Sequence, residues 1–240
     1  WLAARPVADN VLQVQLAPSL RQCLPALQQP LRRLFDLDVD PVAIATCLES
    51  DGQLAPLSQQ TPGLRLPGTL DGFELAMRAV LGQQISVKAA TTLFRRMVER
   101  FGKPVEPPFE GLDRLPPPAE RIASLEREDL LPCGLTRRRA DTLLALAREV
   151  RDHSLRLDTS ADPQATRQQL LALPGIGPWT TEYIAMRALG DPDAFPHSDL
   201  GLLKGAGVTK PAELEARSQH WRPWRAYAAF HLWHSLGQGG

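Results

Sequence analysis

A mainly α-helical body with a remnant of antiparallel sheet at its N-terminus is the fold class this 240-residue sequence predicts. Three observations carry that expectation. Apolar side chains recur at helical spacing from about residue 19 to the C-terminus. Strict apolar–polar alternation is confined to residues 11–16. Glycine, proline and short polar residues fall where helices should start and stop.

The elements follow in order. Val11 to Leu16 alternates as a half-buried strand does, and a lone strand is unstable, so its partner is expected in residues 1–7 or upstream. Asp71 and Glu74 read as a reciprocal capping pair ahead of a helix whose Phe73, Met77, Val80 and Leu81 share one face. Ser86 caps the next helix, with Ala90, Leu93, Phe94, Met97 and Phe101 inward and Gly102 as its stop. Prolines at 104, 107, 108, 116, 117 and 118 mark 104–118 as a connection, either a domain boundary or a long surface crossover. Thr136 opens a helix that buries Ala140, Leu143, Leu144 and Ala147. Another runs through about 164–172, then Pro178 to Leu189 closed by Gly190, and residues 222–236 make the last long helix.

Composition narrows the function classes. Twenty-seven basic and 27 acidic side chains cancel, which argues against broad, non-specific nucleic-acid binding. Arg137-Arg138-Arg139 is a small basic face or a solvated helix face. Cys23, Cys47 and Cys133 are far apart and form no CxxC pair, so neither a zinc site nor a disulfide framework is expected, and a cytoplasmic location fits reduced thiols. No apolar run of about 18 residues could span a membrane. His231 and His234 are three apart without an acidic partner in a metalloprotease pattern, which favours packing over metal.

The most informative stretch is Leu173-Pro174-Gly175-Ile176-Gly177, followed by a lone carboxylate in Phe195-Pro196-His197-Ser198-Asp199-Leu200. Pro174 ends one helix, Gly175 and Gly177 are expected at positive φ, and Pro178 suits the first position of the next helix. Exposed amides in such a turn can hold an anion such as a DNA phosphate. Asp199 after Ser198 can cap a helix. Trp179 and Tyr183 sit four apart and share a face that extends to Met186. Trp233 lies opposite Trp224 on the last helix.

The string from Leu173 to Gly177 matches the helix-hairpin-helix motif of DNA repair proteins. Pro62 to Gly68, Arg78 to Gln83, Leu173 to Tyr183 and Trp221 to Arg225 with Tyr227-Ala228 extend the match. From Arg33 to the C-terminus the chain resembles the 3-methyladenine DNA glycosylase II (AlkA-like) family, within the helix-hairpin-helix (HhH-GPD) glycosylase superfamily. The resemblance implies a two-lobed helical core over 33–240, with the hairpin at 171–190 and the active site between lobes. It implies that residues 1–32 are a remnant of an N-terminal α/β domain lying mostly upstream.

It further implies a monofunctional enzyme that flips alkylated purines (3-methyladenine or 7-methylguanine type) out of damaged double-stranded DNA. Asp199 falls on the catalytic aspartate. Trp179, Tyr183, Trp233 and Leu200 fall at the base pocket, where stacking favours a cationic base. Gly175, Ile176, Gly177, Gln83 and Gln84 fall at the DNA-binding surface, Gln84 replacing an apolar side chain that fills the gap left by the flipped base. Leu200 stands where an aromatic is usual. Strand-nicking relatives carry a lysine at the position of Trp179, so water is the expected nucleophile. No cofactor is required, although the carbonyls of Leu171, Leu173 and Ile176 could hold a structural Na+ or K+. A monomer is expected. The alternatives are a non-catalytic DNA-binding module, or a glycosylase for hypoxanthine, uracil or an oxidised purine.

Overall fold

The structure, a computed structural model, describes residues 1–8, 11–106 and 109–237. Pro107 and Pro108 of the proline-rich connection lie outside the described residues.

The alternating segment forms β2 (Val11–Leu16), paired antiparallel with β1 (Leu2–Ala8) in the register Leu2 to Leu16, Ala4 to Val14 and Pro6 to Leu12. Its partner is therefore the segment expected. Neither strand, nor the following helix α1 (Leu24–Leu34), contains a buried residue.

Helices α2 (Pro41–Leu48), α3 (Leu54–Gln60), α4 (Gly72–Gly82) and α5 (Val87–Phe101) follow. Asp71 caps α4 by accepting the Glu74 N–H at 3.0 Å, and Ser86 caps α5 through Ala89 at 3.3 Å. The expected reciprocal capping pair is only half present. Glu74 turns to its i+4 neighbour Arg78, and the Asp71 N–H donates to Thr69 Oγ1 instead. A charge-assisted pair on the helix surface has displaced the weaker backward reach.

The proline-rich stretch folds back on itself, with β3 (Lys103–Pro104) against β4 (Arg114–Leu115). Leu93, Phe94 and Met97 before it share one core with Ile122, Leu143 and Leu144 after it, so the stretch is a surface crossover. Helices α6 (Ala119–Ala123), α7 (Arg127–Leu130), α8 (Arg137–Arg151) and α9 (Pro163–Ala172) lead to the glycine turn. Beyond it lie α10 (Pro178–Ile184), a π-helical continuation over Ala185–Leu189, α11 (Leu200–Gly205), α12 (Pro211–Ser218) and α13 (Arg225–Ser235). The last helix starts three residues later than its periodicity predicts. Arg222 precedes Pro223 and is held extended (φ −65°, ψ 141°), as pre-proline residues usually are.

Two hydrophobic cores make two lobes, as expected. The first joins α4, α5, α6 and α8 around Met77, Leu81, Ile122 and Leu143. The second joins α2 and α3 to α11–α13 around Leu48, Leu54, Leu202 and Trp221. Helix α10 with its π-turn serves both. Ile184 and Ala188 face the first core, whereas Ala185, Met186 and Leu189 face the second. A π-turn adds one residue per turn, which lets a single rod present side chains to two bodies.

Candidate active site and hairpin

The glycine turn differs from expectation at one of its two glycines. Gly175 has φ +83°, and a Cβ built there would lie 2.1 Å from Thr142 Oγ1, so both conformation and space demand glycine. Gly177 is extended (φ −110°, ψ 177°), a conformation open to any residue, and a Cβ there meets nothing within 4 Å. The positive φ expected of it is absent because a single left-handed residue completes the reversal. The N–H groups of Gly175, Gly177 and Trp179 donate to no backbone carbonyl among the described residues, so the turn offers free donors.

Gln83 braces this turn from behind. Its Nε2 donates to Gly175 O and to Thr180 Oγ1, each at 3.0 Å, and its own carbonyl accepts from Arg139 at 2.7 Å. Expected at the DNA surface, its amide nitrogen is instead committed inside the protein, because the carbonyl of a left-handed Gly175 otherwise lacks a partner. Arg139 thereby contributes to the turn, while Arg137 and Arg138 stay on the exposed face. Gln84 is different: it is exposed, has φ +56°, and is followed by Ile85 (36% exposed) and Val87 (84% exposed).

Asp199 sits at the N-terminus of α11. Oδ1 accepts the Leu202 N–H and the Trp233 indole N–H, both at 2.8 Å, and Oδ2 accepts the Trp179 indole N–H at 2.8 Å. Three neutral donors thus converge on one partly buried carboxylate, and no cation pairs with it among the described residues. The capping and catalytic readings of Asp199 are geometrically compatible, since capping uses one lone pair of Oδ1.

Trp179 and Tyr183 do share a face, with ring centroids 5.3 Å apart and planes within 6°. They are stacked on each other, so they form one wall instead of two sides of a sandwich. The wall continues to Arg187 and not to Met186, which is fully buried in the second core. Arg187 donates to Tyr183 Oη at 3.2 Å and lies 5.8 Å from the Tyr183 ring and 5.7 Å from the Phe230 ring. Phe230 meets Trp233 edge-on at 5.4 Å, and Trp233 returns to Asp199. The six side chains close a circuit between the lobes. Neither Arg187 nor Phe230 was visible as a site residue, although Arg187 lies at the i, i+4, i+8 spacing from Trp179 that could have signalled it. Leu200, expected to shape the pocket, is 82% exposed at the first position of α11 and faces solvent.

Ion pairs fix the segments that carry these groups. Arg167 of α9 bridges Glu182 (2.7 Å) and Asp191 (2.7 Å), and Glu182 also accepts the Phe195 N–H at 3.0 Å. This ties the chain leading to Asp199 onto α10. Asp193 accepts Arg225 at 2.7 Å and is also paired with Arg222, which anchors the start of α13 and hence Trp233. His231 is buried, with Nδ1 unpartnered, and burial, with the nearby His234 charge, holds its imidazole down to about 4. Among the described residues no cluster of His, Cys, Asp or Glu could hold a metal, and no helix is long and apolar enough to cross a membrane.

Residues 77–221 match the family model described as HhH-GPD superfamily base excision DNA repair protein, and residues 1–71 match the AlkA N-terminal domain. The probable bifunctional transcriptional activator/DNA repair enzyme AlkA of Mycobacterium tuberculosis is 44% identical over 96% of this chain, which spans 47% of that relative, about half its length. DNA-3-methyladenine glycosylase 2 of Escherichia coli is 31% identical over 96% of this chain and 79% of its own. The solved structure of a 3-methyladenine DNA-glycosylase from Archaeoglobus fulgidus superposes with a TM-score of 0.80 at 24% identity, covering 96% of this chain and 80% of that one, a likeness of fold. By sequence over most of its length and by its two-lobed architecture, the chain belongs to the HhH-GPD superfamily of base excision DNA repair proteins.

Proposed function

We propose that the protein is a monofunctional DNA glycosylase that hydrolyses the N-glycosidic bond of alkylated purines flipped out of double-stranded DNA. The observation that carries this reading is Asp199, held between the lobes by two indole N–H groups and a backbone N–H, with no cation paired to it among the described residues. Capping α11 needs only the Leu202 contact, and the two indole donors on the same carboxylate are surplus to that structural role.

Each residue then has a task. The free amides of Gly175, Gly177 and Trp179 suit a DNA phosphate, with Ile176 buried behind them to keep the turn rigid. Exposed Gln84 would fill the place of the extruded nucleotide. The aromatic faces of Trp179, Tyr183 and Trp233 favour a cationic base. As the C1′–N bond breaks, the bonding pair leaves with the base, and Asp199 stabilises the positive charge on the sugar. Water adds at C1′ and gives its proton to the carboxylate. A base already cationic departs neutral, so no acid need protonate it. Trp179 in place of a lysine leaves no amine at this position for Schiff-base chemistry.

A structural Na+ or K+ at the hairpin belongs to the same proposal. The carbonyls of Leu171 and Ile176 accept no backbone N–H among the described residues, and that of Leu173 accepts only Ile176 N–H at 3.2 Å, so all three retain acceptor capacity. We further propose that the protein acts as a monomer in the cytoplasm. Duplexes carrying one methylated purine test the central reading. Wild-type protein should release the base, and Asp199→Asn should lower release by at least a thousandfold while duplex binding persists, because asparagine caps α11 equally well. Turnover retained in Asp199→Asn defeats the assignment.

A further inference from the structure

We infer that Arg138 holds a backbone phosphate of the bound duplex beyond the one taken by the glycine turn, which makes the start of α8 a second anchor on DNA. The inference rests on the glycosylase reading above and extends its DNA-contacting surface. Arg137-Arg138-Arg139, a basic face or a solvated one by sequence alone, splits into three directions once α8 is in place. Arg139 turns inward, and its Nη2 donates to the Gln83 carbonyl at 2.7 Å. Arg137 heads the strip that continues to Asp141 and Leu144, where Asp141 pairs with Arg127 of α7 at 2.6 Å. Arg138 heads the strip that continues to Thr142, the residue against which Gly175 is packed.

That contact with Gly175 fixes where Arg138 stands. Thr142 Oγ1 donates to the Arg138 carbonyl at 2.9 Å and is the atom that a Cβ on Gly175 would strike at 2.1 Å. One helical turn, about 5.4 Å of rise, therefore separates Arg138 from the hairpin. Long side chains on a helix lean toward its N-terminus, which carries this guanidinium past the glycine turn and away from the phosphate that the Gly175, Gly177 and Trp179 amides would take. Arg138 is exposed, and its guanidinium has neither a hydrogen bond nor a carboxylate partner among the described residues. The N–H groups of Arg137 and Arg138 donate to no backbone carbonyl either, so the positive end of α8 adds to the same field. In a chain whose formal charge is +0, an unpaired guanidinium beside an anion-binding turn is a phosphate-seeking group.

Equilibrium binding to a duplex carrying one tetrahydrofuran abasic site tests the contact without any base release. The logarithm of affinity should fall linearly with the logarithm of salt concentration, and Arg138→Gln should make that slope shallower by about one, the value of a single phosphate. Affinity at physiological salt should drop about fivefold. Arg137→Gln removes the same charge one residue away and should leave the slope unchanged, and Arg138→Lys should keep the wild-type slope. Neutral methylphosphonates placed singly along both strands then locate the partner, weakening wild type but not Arg138→Gln at one position. An unchanged slope in Arg138→Gln overturns the contact, and so does an equal change in Arg137→Gln, which marks a general effect of net charge. A scan in which no phosphate couples to Arg138 overturns it too. Wild-type protein that shows the full pattern yet releases no methylated purine defeats the glycosylase reading and leaves this anchor standing. Wild-type protein that binds no duplex overturns both.

Discussion

Asp51 and Asp199 invite comparison because each carboxylate stands before a helix and each accepts an indole N–H. Asp51 accepts the Gln53 and Leu54 N–H groups (2.9 and 3.1 Å) and the Trp221 indole at 2.9 Å. It differs in one partner: Arg217 grips both its oxygens, at 2.7 and 3.2 Å. Burial raises the Asp51 carboxyl, but Arg217, Trp221 and the two backbone donors together hold it well below the usual carboxylate range. Asp199 has the same kinds of neutral donor and no guanidinium. The first arrangement spends its charge on cohesion between α3 and α12; the second leaves charge available to a cation that arrives from outside. What separates a structural from a reactive carboxylate here is the missing counterion, since both are helix-start acids bound to tryptophan.

Four substitutions sharpen that contrast. Asp51→Asn should cost about 2 kcal/mol of stability by urea unfolding, the order expected for losing hydrogen bonds to a charged group, with base release per folded molecule unchanged. The same variant should change the acid limb. Because the folded carboxyl of Asp51 lies below its unfolded value, its stabilisation is full above the unfolded range and fades as pH falls, so wild-type stability should drop on acidification more steeply than that of Asp51→Asn. An unaltered slope would mean that Arg217 does not matter to Asp51.

A smaller effect is expected from Trp179→Phe and Trp233→Phe, which keep an aromatic ring and remove one N–H each. Either should lower kcat about tenfold, roughly 1.4 kcal/mol, with unfolding midpoints nearly constant. A fall confined to KM would show that the indoles serve base stacking alone. Smallest of all is Gly177→Ala. The fold has room for the methyl, so thermal stability should stay level while duplex affinity weakens by a few-fold in a fluorescence titration. Unchanged affinity would move the phosphate contact away from this turn.

Much of this was legible in the chain. Asp71, Ser86 and Thr136 announce their helices because a short polar side chain before an apolar periodic run has few other uses. The stacking of Trp179 on Tyr183 follows from their spacing on one helix. What stayed hidden depends on contacts between distant segments. Arg187 owes its position to Pro67 and Phe230, and Gln83 is occupied by a carbonyl 92 residues away. The family resemblance also pointed to Trp179 and Trp233 without saying which part of the indole acts, since the direction of an N–H is set by three-dimensional placement. Leu200 looked like a pocket residue by position beside Asp199, yet the first turn of α11 aims it outward.

The rod formed by α10 and its π-turn carries Trp179, Tyr183 and Arg187, and both hydrophobic bodies grip that rod, one through Ile184 and Ala188, the other through Ala185, Met186 and Leu189. Prising those bodies apart would shear the wall against which a nucleobase is to rest. Adjustment to a bulky substrate must therefore come from the rim, above all the irregular strip around Pro67, whose carbonyl accepts the Arg187 Nε.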